Sequence, residues 1–155
     1  MNNFPFSHRL NNFVLNWFNV NIDLFQVYDQ SQFDFSNAEN TFKEFKAHFE
    51  SKGTIPMWYD DNQCNIFGST IVNAMFRAWH DYIHVITNNN FSLEGEINSF
   101  NFQKEFLPKE WRFEIELLEA EIVGQGIHYT EFPDKPIENQ REFALNYIKS
   151  KTTLL

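Results

Sequence analysis

Apolar residues recur at helical spacing over most of the chain, and the clearest case lies between Ser69 and Ile86. Its apolar positions are Val72, Met75, Phe76, Trp79, Ile83 and Ile86. Residues three or four positions apart share one side of an α-helix, so this spacing predicts an amphipathic helix with a buried stripe. The Asn-rich segment 88–90 is expected to end the helix.

Capping residues and prolines set the bounds of four more predicted helices. Ser36 and Glu39 form the capping box S-x-x-E, and Gly53 supplies a stop signal for the same helix. Ser92 is expected to cap a later helix, and Pro108 fits the first turn of the next one. The predicted ranges are 36–53, 93–106, a fourth helix from 108 with the stripe Trp111, Ile115, Leu118 and Ile122, and 138–149.

The first 35 residues carry a mixed pattern. Ser7 is placed to cap a helix, but apolar and polar residues then alternate over 20–24, as they would in a strand. Residues 54–68 contain a proline and a polar run, and this pattern predicts a loop.

From the predicted helices we expect a mainly α protein, with residues 1–155 forming a single compact helical domain of about five helices. Its N-terminal 35 residues are expected to be irregular or to contain a short strand.

Composition narrows the class of protein. The formal net charge of −9 and the isoelectric point of about 4.9 argue against binding to nucleic acid or to anionic membranes. No apolar run approaches the roughly 20 residues that span a bilayer, so no membrane span is expected. Cys64 is the only cysteine, which excludes an intrachain disulfide and fits a cytoplasmic location. The 19 phenylalanines and the frequent asparagines are typical of AT-rich coding sequences, as in low-GC bacteria and their phages.

Two histidines four residues apart are the main candidates for chemistry. His80 and His84 would project from one turn of the helix, so their ring nitrogens can converge on one point. Asp81 lies beside them as a ligand or an orienting partner, and Glu96 follows the Asn-rich turn. Glu94 is a competing ligand, although it points about 200° away from Glu96 on a helix. This set suits a divalent metal, zinc first, with iron or manganese as alternatives. The competing interpretation is the solvated side of an amphipathic helix.

The spacing H-D-x-x-H, eleven residues and then Glu resembles the metal-ligand motif of the mainly helical coenzyme Q (ubiquinone) biosynthesis family. Its four positions are occupied here by His80, Asp81, His84 and Glu96. Gly95 also matches the Gly-Glu pair that is common in that family. The resemblance covers 17 of the 155 residues and implies a metal site in a helical enzyme. In that family the enzyme acts on a polyprenylated ring precursor, and we carry over the ligands but not this substrate.

A second polar group lies on the predicted fourth helix. The residues expected to share its face are Glu114, Glu121, Gln125 and His128. Glu121 and Gln125 are the candidate catalytic residues, because a carboxylate beside a metal can act as a general base or complete the ligand set. Gly124 and Gly126 flank Gln125, and a close helix contact or a functional site would explain their cost of about 1 kcal/mol each. The competing interpretation is a charged face in solvent.

Together these patterns predict a metal-dependent enzyme that acts on a small-molecule substrate by hydrolysis, decarboxylation or oxygenation. The alternative is a non-enzymatic acidic protein, phage-encoded, that binds a basic surface of a host protein and holds any metal for structure alone. A closed shell of four protein ligands would favour the alternative. An open coordination position in a cleft would favour catalysis.

Overall fold

The structure is a computed structural model that describes residues 3–33 and 37–153. It is mainly helical, as the sequence predicts. The helices are α1 (His8–Val20), α2 (Ala38–Lys52), α3 (Thr70–Thr87), α4 (Leu93–Gln103), α5 (Arg112–Glu119), α6 (Gln125–Glu131) and α7 (Gln140–Thr153). Short 3-10 turns cover Ile22–Leu24, Gln30–Gln32 and Lys104–Phe106. None of the helices in the described ranges combines the length and the apolar character that a membrane crossing requires.

Two three-residue strands, β1 (Phe25–Val27) and β2 (Ile55–Met57), pair in parallel, and α2 lies between them in sequence. Their positions correct two predictions. The alternating residues 20–24 belong to the end of α1 and to a 3-10 turn, and the predicted loop 54–68 begins with β2. All three residues of β2 are buried, so the strand has no polar side that an alternating pattern could reveal.

Side-chain caps begin the helices, with Ser7 and Ser92 in the capping positions that were predicted for them. The hydroxyl groups that accept a hydrogen bond from a first-turn N–H of α1, α3 and α4 belong to Ser7, Ser69 and Ser92. Asn37 is the cap of α2, and the predicted cap Ser36 lies outside the described residues. Gly53 ends α2 with a φ of 71°, a left-handed conformation that glycine adopts without strain.

The predicted fourth helix begins later than expected and is not uniform. Pro108 lies in a turn, where its carbonyl accepts a hydrogen bond from the N–H of Trp111 at 3.0 Å, and α5 begins only at Arg112. α5 then passes through a π turn, Ala120–Gly124, into α6. A π turn holds more residues than an α turn, so it rotates the side chains that follow it relative to those before it.

The central helix of the fold is α3, which packs against α1, α2, α4 and β2. Trp79 at its middle is fully buried, and its ring centroid lies 5.5 Å from those of Phe13 and Trp17 in α1. The predicted apolar stripe of α3 is buried or half-buried except for Ile86, which is 42% exposed at the end of the helix. The apolar side of α3 thus fills the core, and α4 packs against the polar side, which bears His80.

Candidate metal centre

The turn between α3 and α4 brings the predicted ligands together. Asn88, with a φ of 55°, ends α3 in the left-handed conformation. The main chain then folds back so tightly that a Cβ atom on Gly95 would overlap the carbonyl group of Asn90. This compact reversal places Glu96, in the first turn of α4, against the two histidines of α3.

Three potential ligand atoms form a small triangle. Nε2 of His80 lies 2.9 Å from Nε2 of His84 and 2.9 Å from Oε2 of Glu96, and the third side measures 3.2 Å. Ligand atoms about 2.1 Å from one ion lie about 3.0 Å apart in octahedral geometry and about 3.4 Å apart in tetrahedral geometry. The triangle therefore has the size of three neighbouring positions around one ion, and this group could hold a metal.

The ring of His84 is fully buried and oriented by the backbone. Its Nδ1 lies 2.8 Å from the main-chain oxygen of Asn89 and 3.2 Å from the hydroxyl of Ser99. A carbonyl oxygen can only accept a hydrogen bond, so Nδ1 carries the proton. In the neutral ring Nε2 then points its lone pair into the triangle, which is the arrangement that a metal ligand needs.

The ring of His80 is oriented by a side chain instead. Its Nδ1 lies 2.8 Å from Oε1 of Gln103, a residue with no exposed surface. Ser99 and Gln103 follow Glu96 by three and seven positions, so one face of α4 contacts both histidines. Neither residue was predicted from the sequence. The available signal was their polar character at helical spacing from Glu96.

The charges of the three groups depend on one another. Burial raises the pKa of Glu96, but the charge on His80 and the hydrogen bond from the His80 ring outweigh burial and hold the pKa at about 2. Burial lowers the pKa of His80, but attraction to Glu96 outweighs it, so the net pKa is raised. The pKa of His84 is lowered by burial and by the charge on His80. The triangle therefore combines a carboxylate, a neutral imidazole and one ring that holds a proton more tightly than usual.

Asp81 lies beside this triangle. It lines the same cavity as His80 and Glu96, but among the described residues its oxygens are not part of the converging group. Burial raises the pKa of its carboxyl to about 7. Its role as a ligand or an orienting partner therefore stays a prediction. Glu94, the competing ligand, is exposed.

His80 and Glu96 form part of the wall of a cavity of about 570 Å³. Much of the remaining wall is aromatic, with the rings of Phe45, Trp58, Phe76, Phe91 and Tyr129. Arg77 is also in the wall, where Nη1 donates to Asp60 at 2.7 Å and Nη2 donates to the carbonyl of Trp58 at 3.1 Å. A largely apolar cavity with a few convergent polar groups is typical of a small-molecule site.

Glu121 and Gln125 line this same cavity. Nε2 of Gln125 donates to Oε2 of Glu121 at 3.0 Å, whereas Oε1 of Glu121 is buried without a hydrogen-bond partner among the described residues. Burial raises the pKa of Glu121 to about 8. A carboxyl with this pKa is mainly protonated at neutral pH. The expected role of Glu121 as a general base or a further ligand stays a prediction.

The other two members of the predicted polar face lie elsewhere. The buried carboxylate of Glu114 accepts hydrogen bonds from Arg9 and Ser7, both at 2.7 Å, and the bond from Arg9 contributes most to holding its pKa at about 2. His128 contacts the main-chain oxygen of Lys135 at 2.7 Å and is not in the cavity wall. The prediction of one shared face is wrong because the π turn interrupts the regular α-helical spacing on which it was counted.

The fold and the site together define a mainly α protein with a candidate metal centre of two histidines and one glutamate. Comparisons of the chain with known protein families, with curated proteins and with solved structures found no match. The function is therefore argued from the geometry and chemistry of the site.

Proposed function

We propose that this protein is a metal-dependent enzyme that holds one divalent ion on His80, His84 and Glu96 and acts on a small molecule in the adjoining cavity. The observation that supports the proposal most directly is the triangle of acceptor atoms, 2.9–3.2 Å on each side, at the wall of that cavity. Without a metal, the proton held by His80 lies between its ring and Glu96. When that proton is lost, the three atoms face one another as acceptors, and a divalent ion among them would relieve their repulsion. Two imidazoles and a carboxylate suit zinc first, with iron and manganese as alternatives.

Three protein ligands leave coordination positions for water or for substrate. An ion held in this way acts as a Lewis acid or lowers the pKa of a bound water molecule. Because His80 and Glu96 line the cavity while His84 is fully buried, we expect the free positions to face the cavity. The aromatic wall would exclude bulk water from a bound substrate, which strengthens electrostatic interactions within the site.

We assign the acid to Glu121. A protonated carboxyl can donate a proton or a hydrogen bond to an oxygen atom of the bound molecule, and its unpartnered Oε1 is the atom available for that contact. Gln125 donates a hydrogen bond to the other oxygen at 3.0 Å and so limits rotation of the carboxyl group. Glu121 would supply a proton to the substrate where the reaction needs one, as in hydrolysis or decarboxylation, and Gln125 would hold the carboxyl in place.

The alternative, a non-enzymatic protein with a structural ion, would need a closed set of ligands. Among the described residues three side chains converge, and the group borders a cavity instead of being enclosed by a fourth ligand. The net charge of −9 would suit a basic protein partner, but charge alone does not explain a buried acid beside the triangle. The enzyme proposal explains both the open side of the ligand triangle and the buried Glu121 carboxyl in the same cavity.

Metal content tests the ligand assignment. Protein purified without an affinity tag is stripped with a chelator, reloaded with zinc, iron or manganese, and analysed for bound metal. We expect about one ion per chain in the wild type and almost none in the double variant His80→Ala, His84→Ala. His8→Ala is the matched control, because His8 is exposed in the first turn of α1. Full metal occupancy in the double variant would refute the site.

A cobalt-substituted protein distinguishes an enzyme site from a structural one. The visible spectrum of Co²⁺ depends on its coordination, and a small anion such as azide can bind only at a free position. We expect azide to change the spectrum of the wild type. A spectrum that stays unchanged at saturating azide would favour the closed, structural alternative.

A further inference from the structure

One face of α4 contacts both nitrogens of the His80 ring. Oε2 of Glu96 lies 2.9 Å from Nε2, and Oε1 of Gln103 lies 2.8 Å from Nδ1. Glu96 and Gln103 are seven residues apart, which is about two helical turns, so both side chains leave the same side of the helix. The imidazole therefore lies between two side chains of one rigid element.

The two histidines differ in what determines their proton positions. At His84 the partner of Nδ1 is a main-chain carbonyl, which no substitution at Asn89 would remove. At His80 the partner is a side-chain amide, which presents either an acceptor oxygen or a donor NH₂ group. With the oxygen toward the ring, Nδ1 carries the proton and Nε2 is available to a metal. With the NH₂ group toward the ring, the proton of a neutral imidazole is forced onto Nε2, which blocks the metal position.

The remaining bonds of Gln103 indicate that its orientation serves His80 and not the rest of the fold. The residue has no exposed surface, and its Nε2 has no hydrogen-bond partner among the described residues. A buried amide that lacks one partner destabilises the folded state relative to a satisfied one. A leucine of similar size would avoid this cost, so stability alone does not explain a glutamine here.

We propose that Gln103 is a positioning residue for the metal site: its amide oxygen holds the proton on Nδ1 of His80 and directs Nε2 toward the ion. This inference rests on the proposed function, in which His80 is a ligand. It adds that the ligand geometry of His80 is set from α4, by a residue that does not itself touch the metal.

Two substitutions at position 103 separate hydrogen bonding from packing. Gln103→Leu keeps the approximate size but removes the acceptor, and we expect zinc affinity to fall about 10–100-fold, as is typical when the partner of a ligating histidine is lost. Gln103→Glu restores an acceptor, and we expect zinc affinity close to that of the wild type. Circular dichroism and thermal unfolding verify that each variant is folded.

The ring protons provide a readout that a purely structural role would not change. In ¹⁵N-edited NMR spectra we expect a protected Nδ1–H signal from His80 in the wild type and in Gln103→Glu, and its loss in Gln103→Leu. The Nδ1–H signal of His84 is the internal control, since Asn89 still accepts its hydrogen bond in every variant.

The outcomes keep the two proposals distinct. If the wild type binds no zinc, the proposed function fails, and the Nδ1–H signal of metal-free His80 still decides the role of Gln103. If the wild type binds zinc through both histidines but Gln103→Leu binds it equally well with the His80 signal retained, only the present inference is overturned. Should Gln103→Leu fail to fold, coordination of zinc by Nδ1 of His80 in the wild type would overturn it instead.

Discussion

The carbonyl group of Asn90 occupies the place that a Cβ atom on Gly95 would need. Glycine alone therefore allows α4 to begin so close to the turn that ends α3. The next residue is Glu96, so this main-chain contact determines how near the carboxylate comes to the two histidines. A steric relationship in the turn thus sets one side of the ligand triangle.

We expect Gly95→Ala to destabilise the protein by about 2 kcal/mol or more, because the added methyl group meets backbone atoms that cannot rotate away. Zinc affinity should fall as well, since any relief of the overlap displaces Glu96. Thermal unfolding of the metal-free protein and zinc titration measure the two effects separately.

Gly126→Ala is the matched control for this substitution. A Cβ atom there would lie 3.4 Å from Cγ of Glu96, which is an ordinary van der Waals contact. Alanine also stabilises a helix by up to about 1 kcal/mol relative to glycine. We expect unchanged or higher stability, and an equal loss in both variants would contradict the special role of the Asn90 contact.

Zinc binding should release one proton, from His80, and its affinity should therefore depend on pH. The pKa of His80 is raised by Glu96, that of His84 is lowered, and that of Glu96 is about 2, so only His80 must lose a proton to bind the ion. Affinity should fall about tenfold per pH unit below the pKa of His80 and level off above it. Calorimetry in buffers of different ionisation enthalpy counts the protons released.

Glu96→Gln tests the cause of this dependence, because it removes the charge that holds the proton on His80. The pKa of His80 should fall in the metal-free variant, which an NMR titration of the ring measures.

The calorimetric proton count of the wild type tests a separate point. Release of two protons per zinc ion would contradict the assignment of His84 as neutral.

The metal-free protein should lose stability as the pH rises from 4.5 to about 8 because of Glu121. Burial raises the pKa of its carboxyl from 4.5 to about 8, so the folded state binds the proton more tightly than the unfolded chain. The resulting stabilisation is fully present below pH 4.5 and is lost as the pH rises through about 8. The shift corresponds to at most about 5 kcal/mol.

Glu121→Gln should remove this part of the pH dependence, since the amide keeps the shape but has no proton to lose. Urea unfolding at a series of pH values compares the variant with the wild type and with Glu105→Gln, whose side chain is exposed. If Glu121→Gln and Glu105→Gln give the same pH profile, Glu121 does not titrate in a buried environment.

Glu114 should give the opposite pH dependence to Glu121, with stability lost as the pH falls. Its pKa of about 2 lies below the ordinary 4.5, so the stability that it contributes is present above pH 4.5 and is lost as the pH falls through about 2. Glu114→Gln should destabilise the protein by about 2 kcal/mol at neutral pH, because the buried amide has one acceptor oxygen in place of two and loses a hydrogen bond from Arg9 or Ser7.

The exposed pair of Glu39 and Lys43, at 3.0 Å, provides the comparison for Glu114. Glu39→Gln should change stability by no more than about 0.5 kcal/mol, since solvent screens a surface ion pair. Denaturant unfolding at neutral and at acid pH measures both variants. Equal losses of unfolding free energy from the two substitutions would show that the buried Glu114 pair stabilises the fold no more than an exposed pair does.

The helices and the ligand triangle were predictable because both depend on local spacing. The serine caps of α3 and α4 are sequence signals that act within one turn, and His80 and His84 share a side of α3 through its regular geometry. Glu96 follows after a short turn, which leaves few ways for the chain to return. Rules that act over a few residues were therefore enough to predict α3, α4 and the ligands that they carry.

The features that were missed depend on contacts between distant segments or on helix irregularity. β1 and β2 are three residues long and pair across α2, so neither carries a periodic pattern of its own. The π turn has no spacing rule in the sequence, yet it separates the surroundings of Glu114 from those of Glu121. Gln103 acquires its role only when the face of α4 that carries it packs on His80.

The position of the ligand triangle in the chain also determines what a metal could hold together. His80 and Glu96 enclose a loop of 17 residues, all of which belong to α3, α4 or the turn between them. A crosslink across this loop restricts only the α3–α4 segment of the unfolded chain, and it closes no loop that includes α1 or α7. The ion would therefore fasten one helical hairpin and leave the attachment of α1 and α7 to the apolar core. Removal of the metal should loosen the α3–α4 pair while the rest of the molecule stays folded.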